Sequence, residues 1–212
     1  MPPSVSLPRE EFLTVAEVKP VPIANPAPLG LSGFALTTFV LSLVNAGILG
    51  GKGDNLVVIG LAVFYGGIAQ FAAGMWEFRT GNTFGATAFT SYGAFWLSFA
   101  ALFIPGFGVA AGSATGPTNS AIGAYLLGWT VITGLLMLGS FRINGALAAV
   151  FVLLFVTFLF LTIGALANSS GWTHLGGWLG ILTAIVAWYT ALAGILSHVS
   201  GGRMVLPVYP LA

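Results

Sequence analysis

Residues 147–167 read LAAVFVLLFVTFLFLTIGALA, without an acid, a base or a histidine among them. An α-helix needs about 20 consecutive apolar residues to cross the hydrocarbon core of a bilayer, and this stretch has that length. Five more runs of the same kind lie along the chain: Leu29–Leu49, Leu56–Trp76, Phe84–Ile104, Ala121–Leu138 and Leu175–Leu196. Each is free of Asp, Glu, Lys, Arg and His. The chain can therefore cross a membrane six times. Alternating ten-residue strands are absent, which argues against a transmembrane barrel. What remains is an all-α membrane protein, a bundle of six transmembrane helices that each satisfy their own backbone hydrogen bonds.

The composition agrees. Charged residues make up 5% of the chain, against roughly 25% in a typical soluble domain, and the mean hydropathy is +0.99. So few charges could not clothe a water-soluble fold of 212 residues. The net charge of +1 offers no clustered basic face for nucleic acid. Cysteine is absent, which excludes disulfides, thiolate metal sites and catalytic thiols. Glycine, at 30 residues, is abundant. Lipid chains are as apolar as leucine, so helices in a bilayer associate by close packing, which small residues permit.

The organisation is simple. Residues 1–24 are polar and Pro-rich and read as a disordered cytoplasmic segment. Met1–Val21 lacks the apolar central run of a secretory signal. Residues 25–198 hold the membrane domain, and 199–212 form a short cytoplasmic tail with Gly201, Gly202, Pro207 and Pro210. The longest connection, Gly108–Ser120, has the Gly, Ser and Thr of a surface loop. With the N-terminus inside, the inner segments carry Arg9, Lys19, Arg79, Arg142 and Arg203 and the outer ones Lys52 alone. This balance favours both termini in the cytoplasm.

Polar residues fall in stripes within the spans. In the third, Thr83, Thr87, Thr90 and Ser91 recur at i, i+4, i+7 and i+8, which places four hydroxyls on one helix face beside a wet cavity. The alternative is that each bonds back to its own helix carbonyls. In the first, Phe34, Thr38, Ser42 and Asn45 share a face, either a helix seam or an apolar narrowing in a polar passage. Gly60, Gly67, Gly74 and Gly81 recur every seven residues and read as a packing seam, with Gln70 in mid-membrane beside them, a solute contact or interhelical glue. Gly176, Gly180, Ala184, Ala187, Ala191 and Gly194 mark another close-packing face, within the bundle or between subunits. Phe151, Leu154, Phe155 and Phe158 make a broad apolar face on the fifth span.

The absences narrow the function. No lysine lies inside a span to hold retinal, and there are six spans where a rhodopsin has seven. No His/Asp/Glu cluster can bind a metal, and no triad or carboxylate pair sits at membrane depth, so the chain reads as neither an enzyme nor a metal or cofactor protein. Glu77 and Arg79 fall at the end of the second span, at the interface, and His174 and His198 flank the sixth.

The first span opens with Asn25-Pro26-Ala27-Pro28-Leu29-Gly30-Leu31. Its first three residues are similar to the aquaporin triplet, but aquaporins use two such triplets at paired half-helix ends. The longer string, with Ala35 beyond it, resembles the signature of the acetate uptake transporter family, also called the YaaH or succinate–acetate permease family. Two more blocks agree: Phe64-Tyr65-Gly66-Gly67-Ile68-Ala69-Gln70 followed by Gly81-Asn82-Thr83-Phe84-Gly85-Ala86-Thr87-Ala88-Phe89-Thr90-Ser91-Tyr92-Gly93, and Gly202-Arg203 with Val205-Leu206-Pro207. The resemblance spans residues 25 to about 208.

It implies a plasma-membrane protein of six helices per subunit, a homohexameric ring, and a solute path through each subunit. It implies uptake of acetate and, in some members, succinate or other short carboxylates, by proton symport or channel-like passage. It also implies an apolar constriction made by an aromatic of the first helix, a tyrosine of the third and a leucine of the fifth. By motif position these are Phe34 and Tyr92, with Leu154 placed by counting back from Ile163-Gly164. Gln70 and Asn45 match polar positions near that path. With no cation at depth, the path needs neutral donors, for which Thr38, Asn45, Gln70, Thr83, Thr87, Thr90 and Ser91 are the candidates. The rival readings are a channel for small neutral solutes and a non-transporting sensor or scaffold.

Overall fold

The structure is a computed structural model that describes residues 23–51, 53–104, 107 and 118–211. The expectations for residues 1–22, for Lys52 and for most of the 108–120 connection fall outside the described residues. The chain forms α1 (Ala27–Asn45), then α2 (Asp54–Val63), a π-helical turn (Phe64–Ala69) and α3 (Gln70–Thr80) in one continuous second span. There follow α4 (Thr83–Phe103), α5 (Asn119–Ser140), α6 (Gly145–Leu166) and α7 (Ser170–Val199). The six spans are long and apolar enough to cross a bilayer, and the chain is a multi-pass membrane protein. The second span runs on to Thr80 and the sixth from Ser170 to Val199. Glu77 and both histidines thus lie within helices rather than beside them.

Helix starts follow the local chemistry. Pro28 sits in the first turn of α1, where its missing N–H costs nothing. Gly81 ends α3 with φ 79°, a left-handed conformation open to glycine. Asn82 then caps α4 at once, so two residues turn the chain between spans.

The helices close a ring. α1 packs on α7, α7 on α6 and α6 on α5, while α3 packs on α4 and on α1. The thinnest seam, between α4 and α5, is tied by hydroxyls: Tyr92 to Thr133 at 2.9 Å and Ser98 to Tyr125 at 2.8 Å. Small residues set the close approaches. A methyl on Gly177 would run into the backbone of Asn45 and Ala46, and one on Gly176 would lie 2.8 Å from Leu161. Ala184, Ala187 and Ala191 are buried, so this face of the sixth span is used within the subunit. The seven-residue glycine row of the second span is only half a seam. Gly67 meets Leu97 and Gly74 meets Thr90, but Gly60 faces open space and Gly81 serves the turn. The π turn is the reason, because its extra residue per turn shifts the helix phase between Gly60 and Gly74.

That turn also meets α1. A Cβ on Gly33 would lie 2.6 Å from the Tyr65 carbonyl oxygen, and one on Gly66 would lie 2.6 Å from Thr37 Oγ1. Gly33→Ala is expected to destabilise the bundle by about 1–3 kcal/mol through overpacking. Gly60→Ala, in open space, should be neutral or stabilise by up to about 1 kcal/mol. Thermal unfolding in detergent checks the pair, and equal melting temperatures would contradict the assigned contacts.

Candidate functional site

Two cavities lie end to end inside the ring. The larger, about 660 Å³, opens on the face away from the termini. The smaller, about 370 Å³, opens on the face where Asn25, Ser197 and the tail lie. Phe34 and Leu154 line both, so they stand where the cavities meet. The rings of Phe34 and Tyr92 are 5.7 Å apart, and Tyr92 lies 6.2 Å from Phe151. Tyr92 is buried and lines the smaller cavity, its hydroxyl engaged with Thr133. Three side chains from α1, α4 and α6 thus converge at one level of the molecule. No Asp, Glu, Lys, Arg or His lines either cavity among the described residues.

The α1 stripe lies on one wall. Thr38, Ser42 and Asn45 line the far-side cavity above Phe34. Thr38 Oγ1 is buried without a partner, and so is Trp96 Nε1 in the same cavity's wall. Trp96 carries no sequence signal beyond its place on the Tyr92 face, one helical turn on. Gln70 lines the terminal-side cavity, is 1% exposed, and leaves Oε1 unpartnered.

The hydroxyl row of α4 is placed elsewhere. Thr83, Thr87, Thr90 and Ser91 line neither cavity. Thr83 and Thr87 are exposed, Thr87 donates to the Thr83 carbonyl at 2.8 Å, and Thr90 is pressed against Gly74. The reason is helical geometry. At 100° per residue, Tyr92 lies about 160° from Thr90 around the helix axis. The cavity face is Gly85, Ala88, Phe89 and Tyr92, and the threonines occupy the opposite face. Among the motif residues, Asn25 and Pro28 line the terminal-side cavity, while Gly30 is packed against the Phe89 ring and Pro26 flanks the start of α1.

The terminal-side wall has a further pattern. Asn25, Asn82 and Asn144 all line it, and each stands at the start of a helix. Asn25 Oδ1 accepts from Ala27 N at 3.0 Å, Asn82 Oδ1 from Gly85 N at 3.0 Å, and Asn144 Oδ1 from Leu147 N at 2.8 Å. With each oxygen engaged, the amide NH₂ is left as the free donor. Three helix N-termini, the positive ends of their dipoles, therefore gather round a cavity that has no basic side chain.

The tail completes this wall. Gly145 N donates to Tyr209 O at 2.7 Å, Ala146 N to Val208 O at 3.1 Å, and Leu211 N to Ile143 O at 3.2 Å. Tyr189 pins Pro207 O at 2.7 Å. Leu206 and Val208 line the cavity. The sequence gives little hint of this strap, because its bonds, apart from the one from the Tyr189 hydroxyl, are made between backbone groups.

Residues 11–212 match the GPR1/FUN34/yaaH family. The accumulation of dyads protein 2 of Saccharomyces cerevisiae is 48% identical over 91% of this chain and 69% of its own length. The succinate-acetate/proton symporter SatP of Escherichia coli is 41% identical over 88% of this chain and 95% of its own. The solved bacterial acetate channel SatP superposes with a TM-score of 0.80 at 40% identity, over 88% of this chain and 99% of that one.

Tyr92→Phe removes the Tyr92–Thr133 bond across the thinnest seam and leaves the ring in place. It should cost about 0.6–1.5 kcal/mol, the usual range for such a bond in proteins and in bilayers. A double-mutant cycle with Thr133→Val, followed by unfolding in denaturing detergent, measures it, and a coupling near zero would refute the bond.

Proposed function

The chain belongs to the GPR1/FUN34/yaaH family, and on that premise we propose that it carries short carboxylates, acetate first among them, across a membrane along the line of its two cavities. The observation that carries the reading is the terminal-side wall, where two asparagine caps, the Asn25 amide ahead of α1 and three helix N-termini face a cavity that no charged side chain lines among the described residues. Carboxyl groups of this kind titrate near pH 4, so the solute is an anion at neutral pH. A bare ion in an apolar interior is very costly. Amide NH₂ groups and helix N-termini offset part of that cost without the tight binding a lysine or arginine would bring. Passage needs such weak, repeated sites, favourable enough to enter and loose enough to leave. Two relatives support the substrate class, one named for succinate, acetate and protons and the other for acetate.

In this reading Phe34, Tyr92 and Leu154 form the constriction. The solute's methyl group tolerates their apolar surface, while its carboxylate sheds water there or takes up a proton. Thr38 and Asn45 serve the far side, with Gln70 and the three asparagines on the terminal side. The donors are not the α4 threonines. The assembly is a ring of six, and the exposed apolar belt of residues such as Leu56, Phe64, Leu135 and Ile185 meets lipid or neighbouring subunits. Arg79, Arg142 and Arg203 all belong to the face of the termini, which favours that face in the cytoplasm of a cell membrane.

Uptake of radiolabelled acetate into proteoliposomes tests the function, and absence of protein-dependent uptake would overturn it. Phe34→Ala and Leu154→Ala should each widen the junction and admit larger carboxylates, since only bulk excludes them; an unchanged substrate range would refute the constriction. Asn144→Asp keeps a good helix cap but replaces a donor with a charge. Acetate flux should fall by about tenfold or more, as one like charge is worth at least 1.4 kcal/mol at short range. A neutral-solute channel would lose little.

A further inference from the structure

Glu77 occupies a position that the neutral wall does not explain. It lies in the last turns of α3 and is 1% exposed. Thr80 Oγ1 donates to its Oε2 at 3.3 Å and the Asn82 side chain lies close by, while Oε1 has no partner among the described residues. No cation faces it. Of the elements packed on α3, α1 carries no ionisable side chain, α4 carries only Tyr92, committed to Thr133, and the π turn carries only Tyr65. Arg79, on its own helix, is exposed. A buried carboxylate left without a cation is strongly disfavoured. The carboxyl is also close to the path. A Cβ on Gly85 would lie 2.8 Å from the Glu77 carboxyl carbon and 2.6 Å from Asn82 Nδ2, and Gly85 and Asn82 both line the terminal-side cavity. One glycine separates the carboxyl from the solute's space.

We propose that Glu77 is the proton-linked group of this cavity, a positioning residue whose protonation and the binding of a carboxylate anion at Asn82 favour each other. This rests on the carboxylate-transport reading. When Glu77 is ionised, its charge opposes a second carboxylate across the same low-dielectric wall, and it competes with that carboxylate for the nearby Asn82 amide. When a proton from water at that face neutralises it, both obstacles fall. By linkage the effect is reciprocal: the bound anion draws a proton onto Glu77, and departure of the anion releases it. No proton relay is needed.

Two readouts on the full-length protein test this. In infrared difference spectra at fixed pH, adding acetate should raise a protonated-carboxyl C=O band that is missing in E77Q. Acetate affinity of the wild type between about pH 6 and 8, where acetate stays ionised, should fall toward tenfold per pH unit above the Glu77 midpoint. That of E77Q should stay within about twofold. If E77Q does not assemble, E77D is used; it keeps a carboxyl and should keep a pH-dependent affinity with a displaced midpoint. A band that acetate leaves unchanged, a wild-type pH slope in E77Q, or a flat profile in E77D overturns the proposal. If wild-type acetate uptake is present while these fail, only the role of Glu77 falls; if uptake itself is absent, the transport reading falls with it.

Discussion

Inside a bilayer there is no apolar force to hold one helix on another, so association depends on how near the backbones come. In this molecule the two nearest approaches, at Gly177 and Gly180, are made by α1, which also meets the π turn closely. Its C-terminal end meets Gly177 of α7, Ser42 meets Gly180, and Gly33 and Thr37 meet the π turn at Tyr65 and Gly66. These contacts lie on both sides of the helix and leave it no freedom to rotate. Phe34 follows Gly33 directly, so the contact that seats the glycine also fixes the direction of the ring. The junction of the two cavities is therefore set by glycines on neighbouring elements rather than by the aromatic itself.

In the proposed reading that junction works because no charged side chain lines the cavities on either side among the described residues. A fixed cation would bind a carboxylate tightly and slow its release, and a fixed anion would exclude it. Amides, hydroxyls and helix N-termini occupy the middle ground, in which the field is positive but shallow. In the proposed reading the apolar pinch discriminates by size, and the polar walls discriminate by charge. Separating the two tasks in space lets one change without the other. In the proposal made for Glu77, that residue adds a third control, since its charge is one the path can switch off by protonation.

Much of the fold was legible, for a physical reason. Crossing a membrane demands length and apolarity, and both are written linearly in runs such as Leu147–Ala167. The α1 stripe was legible too, because Phe34, Thr38, Ser42 and Asn45 obey one helical period and do lie on one wall. The α4 threonines obey the same period, yet they face away from the cavities. Periodicity says that residues share a face but not which face is inward, and the position of Tyr92 around the same helix is what decides between them. Glu77 looked interfacial because a charge near the end of an apolar run usually is. Its burial comes from Gly85, a residue of the next helix, and from the tight Gly81–Asn82 turn that brings α4 alongside. The strap at residues 202–211 had little legible signal, since backbone hydrogen bonds leave no side-chain trace.

The asparagine caps show how one constraint can serve two ends. A helix start must satisfy its orphan N–H groups, and Asn, Asp, Ser and Thr all do so. Only asparagine does it with one end of its side chain and keeps a donor at the other. Aspartate would cap equally well and place a charge on the wall, and serine would cap but leave a single hydroxyl as its only further donor. The spans that begin on the far face do otherwise, with Gly53, Thr118 and Ser169 before α2, α5 and α7. The two ends of the path therefore differ in how their helices start, although amides and hydroxyls line both. On the terminal side, amides locked by capping present donors in fixed directions. On the far side the amides of Asn45, Asn119 and Asn168 stand on no helix cap of the cavity and are joined by the hydroxyls of Thr38, Ser42 and Ser170, rotors that can donate or accept. In the proposed reading a carboxylate is oriented best where helix starts hold its partners rigid, which makes the terminal-side cavity the place where an anion would be told from another small solute.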